Sequence, residues 1–456
     1  MPTFHDVSAL EPALLQATAA LGYDTMTPIQ AAALPLLLAG IDVQAQARTG
    51  SGKTAAFGLA LLARLKSDSS RLQGLVLCPT RELAEQVAQD LRALARFVPN
   101  IKIISLCGGI PLRPQLASLR HEPHLVTGTP GRLLELLRLG ELRTDALATV
   151  VLDEADRMLD MGFLDDVAAI LGHTPVSRAT WLFSATYPAE IDRLGERFQR
   201  QPQRVTVPGG HDQSVIEQHF YRVPATEKSA AVLALLRQRQ AESCLVFCNT
   251  RNDVRALCET LWKHQIPALA LHGELEQRDR EATLVQFANG SVRVLVATDV
   301  AARGLDIKAL PLVLAYELPN DPDVHVHRIG RTGRAGESGV ALTLVAPAEL
   351  PRLERLALPQ GQRVSLEMLP AGGGPPLTPP AMATIQLDAG RQDKLRPGDL
   401  VGALTGSAGL PFEQIGRIDI FATRAYVAVA RELVREVVAS LRDAKIKGRK
   451  IRLRSL

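Results

Sequence analysis

The chain of 456 residues reads as an α/β protein with two doubly wound parallel-sheet domains and a small split-βαβ domain at its C-terminal end. Three observations predict this. Short, fully apolar runs alternate with amphipathic stretches through residues 42–184 and again through 244–345, the pattern of parallel strands covered by helices on both faces. Two segments, Pro208–Ser214 and Leu369–Pro380, hold too much glycine and proline for regular structure and divide the chain. The residues beyond them follow a different element order. The expected domains are 1–208, 215–368 and 381–456, with 369–380 as a linker.

In the first block the predicted strands are Asp42–Ala45, Gly74–Cys78, Ile101–Leu106, His124–Gly128, Thr149–Leu152 and Ala179–Ser184. Helical stretches such as Lys53–Lys66 and Arg81–Phe97 lie between them. In the second block the strands are Cys244–Phe247, Ala268–Leu271, Val292–Ala297, Leu312–Tyr316 and Gly339–Val345. Ligands of such sheets bind at the carboxyl ends of the strands, where the unusual residues of this chain fall. In the third block Thr384–Ala389, Ile415–Phe421, Ala425–Val429 and Lys450–Arg454 read as strands, and Pro397–Thr405 and Glu432–Ala444 as helices. That β-α-β-β-α-β order is the architecture of RRM-like RNA binders.

Composition narrows the class. Hydrophobic residues make up 46% and charged residues 22%, which excludes a disordered or collagen-like chain. No apolar run of ~18 residues predicts a membrane span, and the start, MPTFHDVSAL, does not read as a secretory signal. The expectation is a cytoplasmic, monomeric protein with no membrane partner. The five cysteines, Cys78, Cys107, Cys244, Cys248 and Cys258, have no metal-like spacing and are expected to be reduced core residues. Charge is uneven. Residues 381–456 carry 14 Lys/Arg against 8 Asp/Glu within a chain of net charge +4, so the remainder is slightly acidic. A basic tail on a neutral body suggests a polyanion partner.

Ala47–Thr54 (ARTGSGKT) follows an apolar strand and opens a helix. Gly50 and Gly52 let successive amides turn toward one anion, and the helix N-terminus adds positive potential. Lys53 can reach β- and γ-phosphates, and the Thr54 hydroxyl can serve a Mg²⁺ shell. Asp153-Glu154-Ala155-Asp156 follows another strand. Beside a phosphate loop, Asp153 can hold Mg²⁺ and Glu154 can deprotonate an attacking water. The first block has no comparable arginine cluster. The second supplies one in His327-Arg328-Ile329-Gly330-Arg331-Thr332-Gly333-Arg334, where arginine forks match phosphate oxygens. ATP hydrolysis is therefore expected to need both blocks.

Together these pieces resemble the DEAD-box RNA helicases of superfamily 2. The likeness runs from residue 4 to about 345 and includes GYDTMTPIQ at 22–30, ARTGSGKT, PTRELA at 79–84, Gly108-Gly109, TPGR at 129–132, DEAD, Ser184-Ala185-Thr186, ATDVAARGLDI at 297–307 and HRIGRTGRAG at 327–336. The resemblance implies two RecA-like domains, the first carrying a Q motif at 2–30. It implies that ATP is held by Phe4, Tyr23, Thr27, Gln30 and the loop Ala47, Arg48, Thr49, Gly50, Ser51, Gly52, Lys53 and Thr54, with Asp306 on the ribose. Thr54 and Asp153 would hold Mg²⁺ and Glu154 would be the general base. Arg331 and Arg334 would be the arginine fingers. Ser184 and Thr186 would couple hydrolysis to strand separation. The implied RNA track is Pro79, Thr80, Arg81, Gly109, Thr129 and Arg132 in the first domain. In the second it is Arg251, Gly273, Gln277, Arg280 and Thr298. Hydroxyls, arginines and backbone amides suit phosphates and sugars rather than base edges.

Residues 384–454 also resemble the C-terminal RNA-binding domain of the bacterial DbpA subfamily, through GDLVGALTG at 398–406, IGRIDIF at 415–421, RAYVAVA at 424–430 and KIKGRKIRLR at 445–454. That resemblance implies binding to a 23S rRNA hairpin near the peptidyl-transferase centre, on pre-50S particles, and a role in ribosome biogenesis. The third strand offers only Tyr426 for base stacking, so recognition is expected from basic residues: Arg391, Lys394, Arg396, Lys445, Lys447, Arg449, Lys450 and Arg452. The overall expectation is an RNA-dependent ATPase that unwinds short duplexes non-processively. An ATP-gated RNA clamp, with hydrolysis used only for release, shares the same motifs and stays open as an alternative. A DNA translocase is disfavoured by the DEAD, SAT and Gln30 motifs.

Overall fold

The computed structural model describes residues 2–47, 50–207, 216–302, 310–333, 339–356, 364–370, 374–442 and 445–456. The chain forms two compact units, divided near residue 210.

The first unit is a seven-stranded parallel sheet. Its strands are β1 (Val43–Gln46), β2 (Gly74–Leu77), β3 (Ile103–Leu106), β4 (Leu125–Gly128), β5 (Thr149–Asp153), β6 (Ala179–Ser184) and β7 (Gln203–Thr206). Their spatial order is β3-β4-β2-β5-β6-β1-β7. Alternate residues of a strand point to opposite faces, and here both faces are covered. On β6, Trp181 and Phe183 enter one apolar cluster with Phe57, Leu59 and Ile29, while Leu182 enters the other with Leu133, Val167 and Ile170. This is why the strand has no polar alternation. The edge strand β7, QRVT, was not predicted. It buries only Val205, and so lacks the apolar signal.

The second unit opens with a sheet of the same kind: β8 (Ile216–Arg222), β9 (Cys244–Cys248), β10 (Ala268–Leu271), β11 (Val294–Thr298), β12 (Leu312–Ala315), β13 (Gly339–Val345) and β14 (Leu366–Glu367). The order β10-β11-β9-β12-β13-β8-β14 repeats the first sheet position by position. β8 and the two-residue β14 were also missed, being polar and partly exposed. The proposed linker Pro208–Ser214 lies outside the described residues.

The same unit ends in a four-stranded antiparallel sheet of β15 (Met382–Leu387), β16 (Ile415–Ile420), β17 (Ala425–Ala430) and β20 (Leu453–Ser455), in the order β16-β17-β15-β20. Helices Pro397–Gly402 and Val434–Arg442 pack on one face. The element order is the predicted one, with one correction. The strand expected at Lys450–Arg454 is split. A short hairpin, β18 (Lys445–Ile446) and β19 (Arg449–Lys450), precedes β20. Lys447 and Gly448 both have positive φ, 54° and 77°, the requirement of a tight two-residue hairpin turn.

The other face of this small sheet is not open. Thr384, Gln386, Tyr426 and Ala428 point to it and are all buried. Asn289 Nδ2 donates to Thr384 Oγ1 at 2.9 Å, and Thr384 donates to Ser291 Oγ at 2.8 Å. Arg431 reaches the Ser291 carbonyl at 2.8 Å. Tyr426, the one aromatic of the third strand, is 0% exposed and offers no ring to a base.

All five cysteines are free and buried. Burial raises the Cys107 thiol to about 11 and Cys258 to about 12, which makes them inert. Among the described residues no helix is long and apolar enough to cross a membrane.

Candidate nucleotide and RNA site

The strand ends divide each sheet into two halves. In the first unit β1, β5 and β6 end in the phosphate loop, the acidic tetrad and Ser184-Ala185-Thr186. The neighbouring β2, β3 and β4 end in the predicted RNA track.

At β1 the chain turns through Gly50 and Gly52, with φ of 82° and 90°, into helix Lys53–Ala63. Lys53 is buried, and its Nζ donates to the Ala47 carbonyl at 2.8 Å. Arg48 and Thr49 lie outside the described residues. Gln30 accepts from the Thr27 amide at 2.8 Å and donates from Nε2 to the Gly52 carbonyl at 3.1 Å. A Cβ at Gly52 would collide with that Gln30 amide. One Nε2 proton and one Oε1 lone pair are what Gln30 has left for a ligand edge. Tyr23 is 40% exposed, with its ring 6.5 Å from the buried Phe4 ring.

At β5, Asp153 and Glu154 are 3% and 4% exposed. Burial pushes Asp153 up to about 7; Glu154 adds to the rise and Lys53 opposes it. Its Oδ1 is buried with no hydrogen-bond partner. A buried, orphaned carboxylate oxygen with Thr54 at the head of the phosphate-loop helix fits a hard cation. Among the described residues no three His, Cys, Asp or Glu side chains gather into a metal cage. A cation here would take its remaining ligands from phosphate and water, as Mg²⁺ commonly does. Glu154 adopts a left-handed conformation, φ 54°, at the N-cap of helix Ala155–Asp160, and accepts from Arg157 Nη1 at 2.6 Å.

The sequence reading gave no role to Asp156 or Arg157. Asp156 Oδ2 accepts from the Ala185 amide (3.1 Å), the Thr186 amide (2.9 Å) and the Thr186 hydroxyl (3.1 Å). Its own amide donates to Ser184 Oγ at 3.1 Å. The spacing of DEAD carries no hint of this, because the two motifs meet only when β5 pairs with β6.

The predicted RNA residues of the first unit converge around one turn. The Gly108 amide donates to Thr129 Oγ1 at 3.2 Å, Arg132 Nη2 donates to the Ile110 carbonyl at 3.0 Å, and the Arg81 guanidinium lies where a Cβ of Gly109 would be. Gly109 has φ 68°, so glycine is needed there twice over. Pro79 precedes Thr80, which caps helix Arg81–Leu94 by accepting from Leu83 N at 3.3 Å.

The second unit repeats this device. Thr250 caps helix Arg251–Lys263 by accepting from Asp253 N at 3.2 Å. Thr80-Arg81 after β2 and Thr250-Arg251 after β9 therefore hold matching positions in the two sheets. Gly273 follows β10, and Thr298 ends β11. Gln277 and Arg280 lie on helix Gln277–Ala288, with Arg280 Nη2 donating to the Ala301 carbonyl at 2.8 Å.

In the arginine cluster Arg328 and Arg331 are described. Arg328 is 1% exposed and makes four hydrogen bonds. It grips Asp299 with two bonds of 2.7 Å and donates to the Glu317 carbonyl (2.6 Å) and Asn249 Oδ1 (2.7 Å). It ties four segments together. Arg331 is described and 5% exposed. Arg334 and Asp306 lie outside the described residues.

In the tail, Asp388, Asp393, Lys394, Lys447, Arg449, Lys450 and Arg452 line a cleft of about 270 Å³. Lys447 Nζ lies 3.4 Å from Asp399 and Arg449 lies 3.9 Å from Asp393. For Lys445 only the backbone, in β18, is described. Arg391 and Arg396 are exposed nearby.

Residues 27–194 match the DEAD/DEAH box helicase family, 227–336 the helicase conserved C-terminal domain, and 384–455 the DbpA RNA binding domain. The ATP-dependent RNA helicase DbpA of Escherichia coli (strain K12) is 50% identical over 456 residues, all of both chains. A DEAD-box ATP-dependent RNA helicase CshA of Geobacillus kaustophilus is 42% identical over 358 residues, 78% of this chain and 76% of its own. Among solved structures, S. cerevisiae Dbp5 bound to RNA and ADP BeF3 aligns with a TM-score of 0.72 at 28% identity, covering 78% of this chain and 93% of that one.

Proposed function

The chain belongs to the DEAD-box ATP-dependent RNA helicases, in the DbpA subfamily, and from that premise we propose how its residues divide the work. Lys53 and the amides of Gly50–Thr54 hold the triphosphate. Gln30, Tyr23, Thr27 and Phe4 form the adenine side, and Asp306 takes the ribose. Thr54 and Asp153 hold Mg²⁺, which when bound neutralises charge on the phosphate oxygens. Glu154 takes the proton of the attacking water. Arg331 and Arg334 stabilise the charge of the transferring phosphoryl group. The carrying observation is the buried Asp153 carboxylate, orphaned at Oδ1, beside a glutamate and the phosphate-loop lysine.

Thr80, Arg81, Gly109, Thr129 and Arg132 form the RNA track of one unit, and Arg251, Gly273, Gln277, Arg280 and Thr298 that of the other. RNA and ATP then strengthen each other's binding, because each favours the same closed arrangement. Strand separation is local and limited to short duplexes. Asp156 passes the state of the tetrad to Ser184 and Thr186.

The tail directs this activity to a 23S rRNA hairpin on pre-50S particles, in the cytoplasm. Since its sheet face is covered, the basic cleft between β15 and the β18–β19 hairpin is its recognition surface. The test compares ATPase stimulation by total rRNA with rRNA lacking the peptidyl-transferase region, before and after deletion of residues 381–456. The full chain should prefer the complete rRNA and the truncated chain should not. Equal stimulation throughout would defeat the targeting. Loss of strand separation on a short duplex with intact RNA-stimulated ATPase would favour a clamp.

A further inference from the structure

Arg251 and Arg255 stand one turn apart at the start of helix Arg251–Lys263. Local physics disfavours this. A helix N-terminus carries about half a positive charge, and like charges at i and i+4 repel. Both side chains are also largely exposed, at 59% and 49%. A single carboxylate from another segment reconciles them. Glu274, in the turn after β10, accepts from Arg255 Nη2 through Oε2 at 2.6 Å and from Arg251 Nη1 through Oε1. Each guanidinium takes its own oxygen of one bridging anion. Gly273, next to it, is exposed and has open space beyond its Cα. The two non-bridging oxygens of a phosphodiester reproduce that bridge.

We propose that Arg251 and Arg255 form a two-pronged clamp for one RNA backbone phosphate, and that Glu274 occupies the clamp until RNA displaces it. The proposal rests on the reading of this chain as an RNA helicase, and it adds Arg255 and Glu274 to the RNA track. An exposed ion pair is weak, so Glu274 keeps the arginines ordered and is easily expelled. It sets a threshold against stray anions that a strand anchored along the rest of the track overcomes. Burial, helped by Arg255 and Arg251 and opposed by Glu274, lowers the pKa of His272 beside the clamp.

The test is binding of a labelled oligouridine to the full chain with ADP–beryllium fluoride present, over a range of salt. Arg255→Gln should weaken binding and lower the slope of log K against log salt by about 0.7, the value for one lost single-strand phosphate contact. Arg255→Lys should keep the slope. Glu274→Gln should tighten binding about two- to five-fold, and should give no gain when Arg255→Gln is already present. Unchanged thermal unfolding would show that the variants fold. Unaltered affinity and slope in Arg255→Gln, or weaker binding in Glu274→Gln, would overturn the clamp. Binding indifferent to the nucleotide analogue would count against the helicase reading instead, while the substitutions still decide the clamp.

Discussion

Asp156 and Thr186 are joined twice. One carboxylate oxygen accepts the Thr186 amide at 2.9 Å and its hydroxyl at 3.1 Å, and the same oxygen takes the Ala185 amide at 3.1 Å. The acidic tetrad and the Ser-Ala-Thr segment are therefore one hydrogen-bonded body. A shift in the tetrad moves the end of β6 with it.

Asp156→Ala removes the acceptor of four donors: the Ala185, Thr186 and Arg157 amides and the Thr186 hydroxyl. Hydrogen bonds to a charged group are worth about 1.5–3 kcal/mol each and do not add fully. The first unit should lose about 3 kcal/mol of stability, read by denaturant unfolding. In conditions where it stays folded, unwinding should fall more than ATPase does. Equal losses in both would deny the coupling role.

Glu154→Gln keeps the shape of the side chain and removes the base. ATP and RNA binding should persist while turnover falls by about 10²–10⁴. Single-turnover hydrolysis is the direct measurement, and near-normal rates would place the base elsewhere.

Arg331→Ala and Arg328→Ala should behave differently, although the two residues stand three apart. Loss of Arg331 should cut ATPase by about 10³ or more with little change in nucleotide affinity. Loss of Arg328 strands Asp299 and uncaps the Glu317 carbonyl. It should instead destabilise the second unit by about 3–5 kcal/mol. Thermal unfolding and ATPase measured side by side separate the two.

His325 supplies a pH dependence. It is 3% exposed, neither ring nitrogen has a hydrogen-bond partner, and burial with help from Arg328 pushes it down to about 4. In the unfolded chain it titrates near 6.5. Between those values the unfolded state binds a proton that the folded state refuses, so stability rises with pH across that window. On acidification from pH 6.5 to 4 the loss should total about 3 kcal/mol. His325→Phe should flatten that part of the profile, measured by denaturant midpoints at several pH values. A parallel slope in the variant would refute it.

Legibility in the sequence followed burial. β2 (GLVL), β6 (ATWLFS) and β9 (CLVFC) are covered on both faces and announce themselves as apolar runs. β7, β8 and β14 do not, because strands at or near a sheet edge can keep polar side chains in water. The phosphate loop was legible for another reason. Its glycines and Lys53-Thr54 stand within a few residues of one another, so the turn at Gly50 and Gly52 into the helix at Lys53 is written in local spacing.

By itself the amino-acid order determined the layered α/β architecture, the glycine turns at Gly50 and Gly52, the acidic tetrad and the basic character of the last segment. Each is a matter of local conformation or of alternation along one strand. Tertiary structure alone decided that Arg328 is held by Asp299, that Asp156 is tied to Ala185 and Thr186, that Glu274 bridges two arginines, and that Tyr426 is buried. Those outcomes depend on pairings between residues tens of positions apart, which exist only after the strands have taken their places.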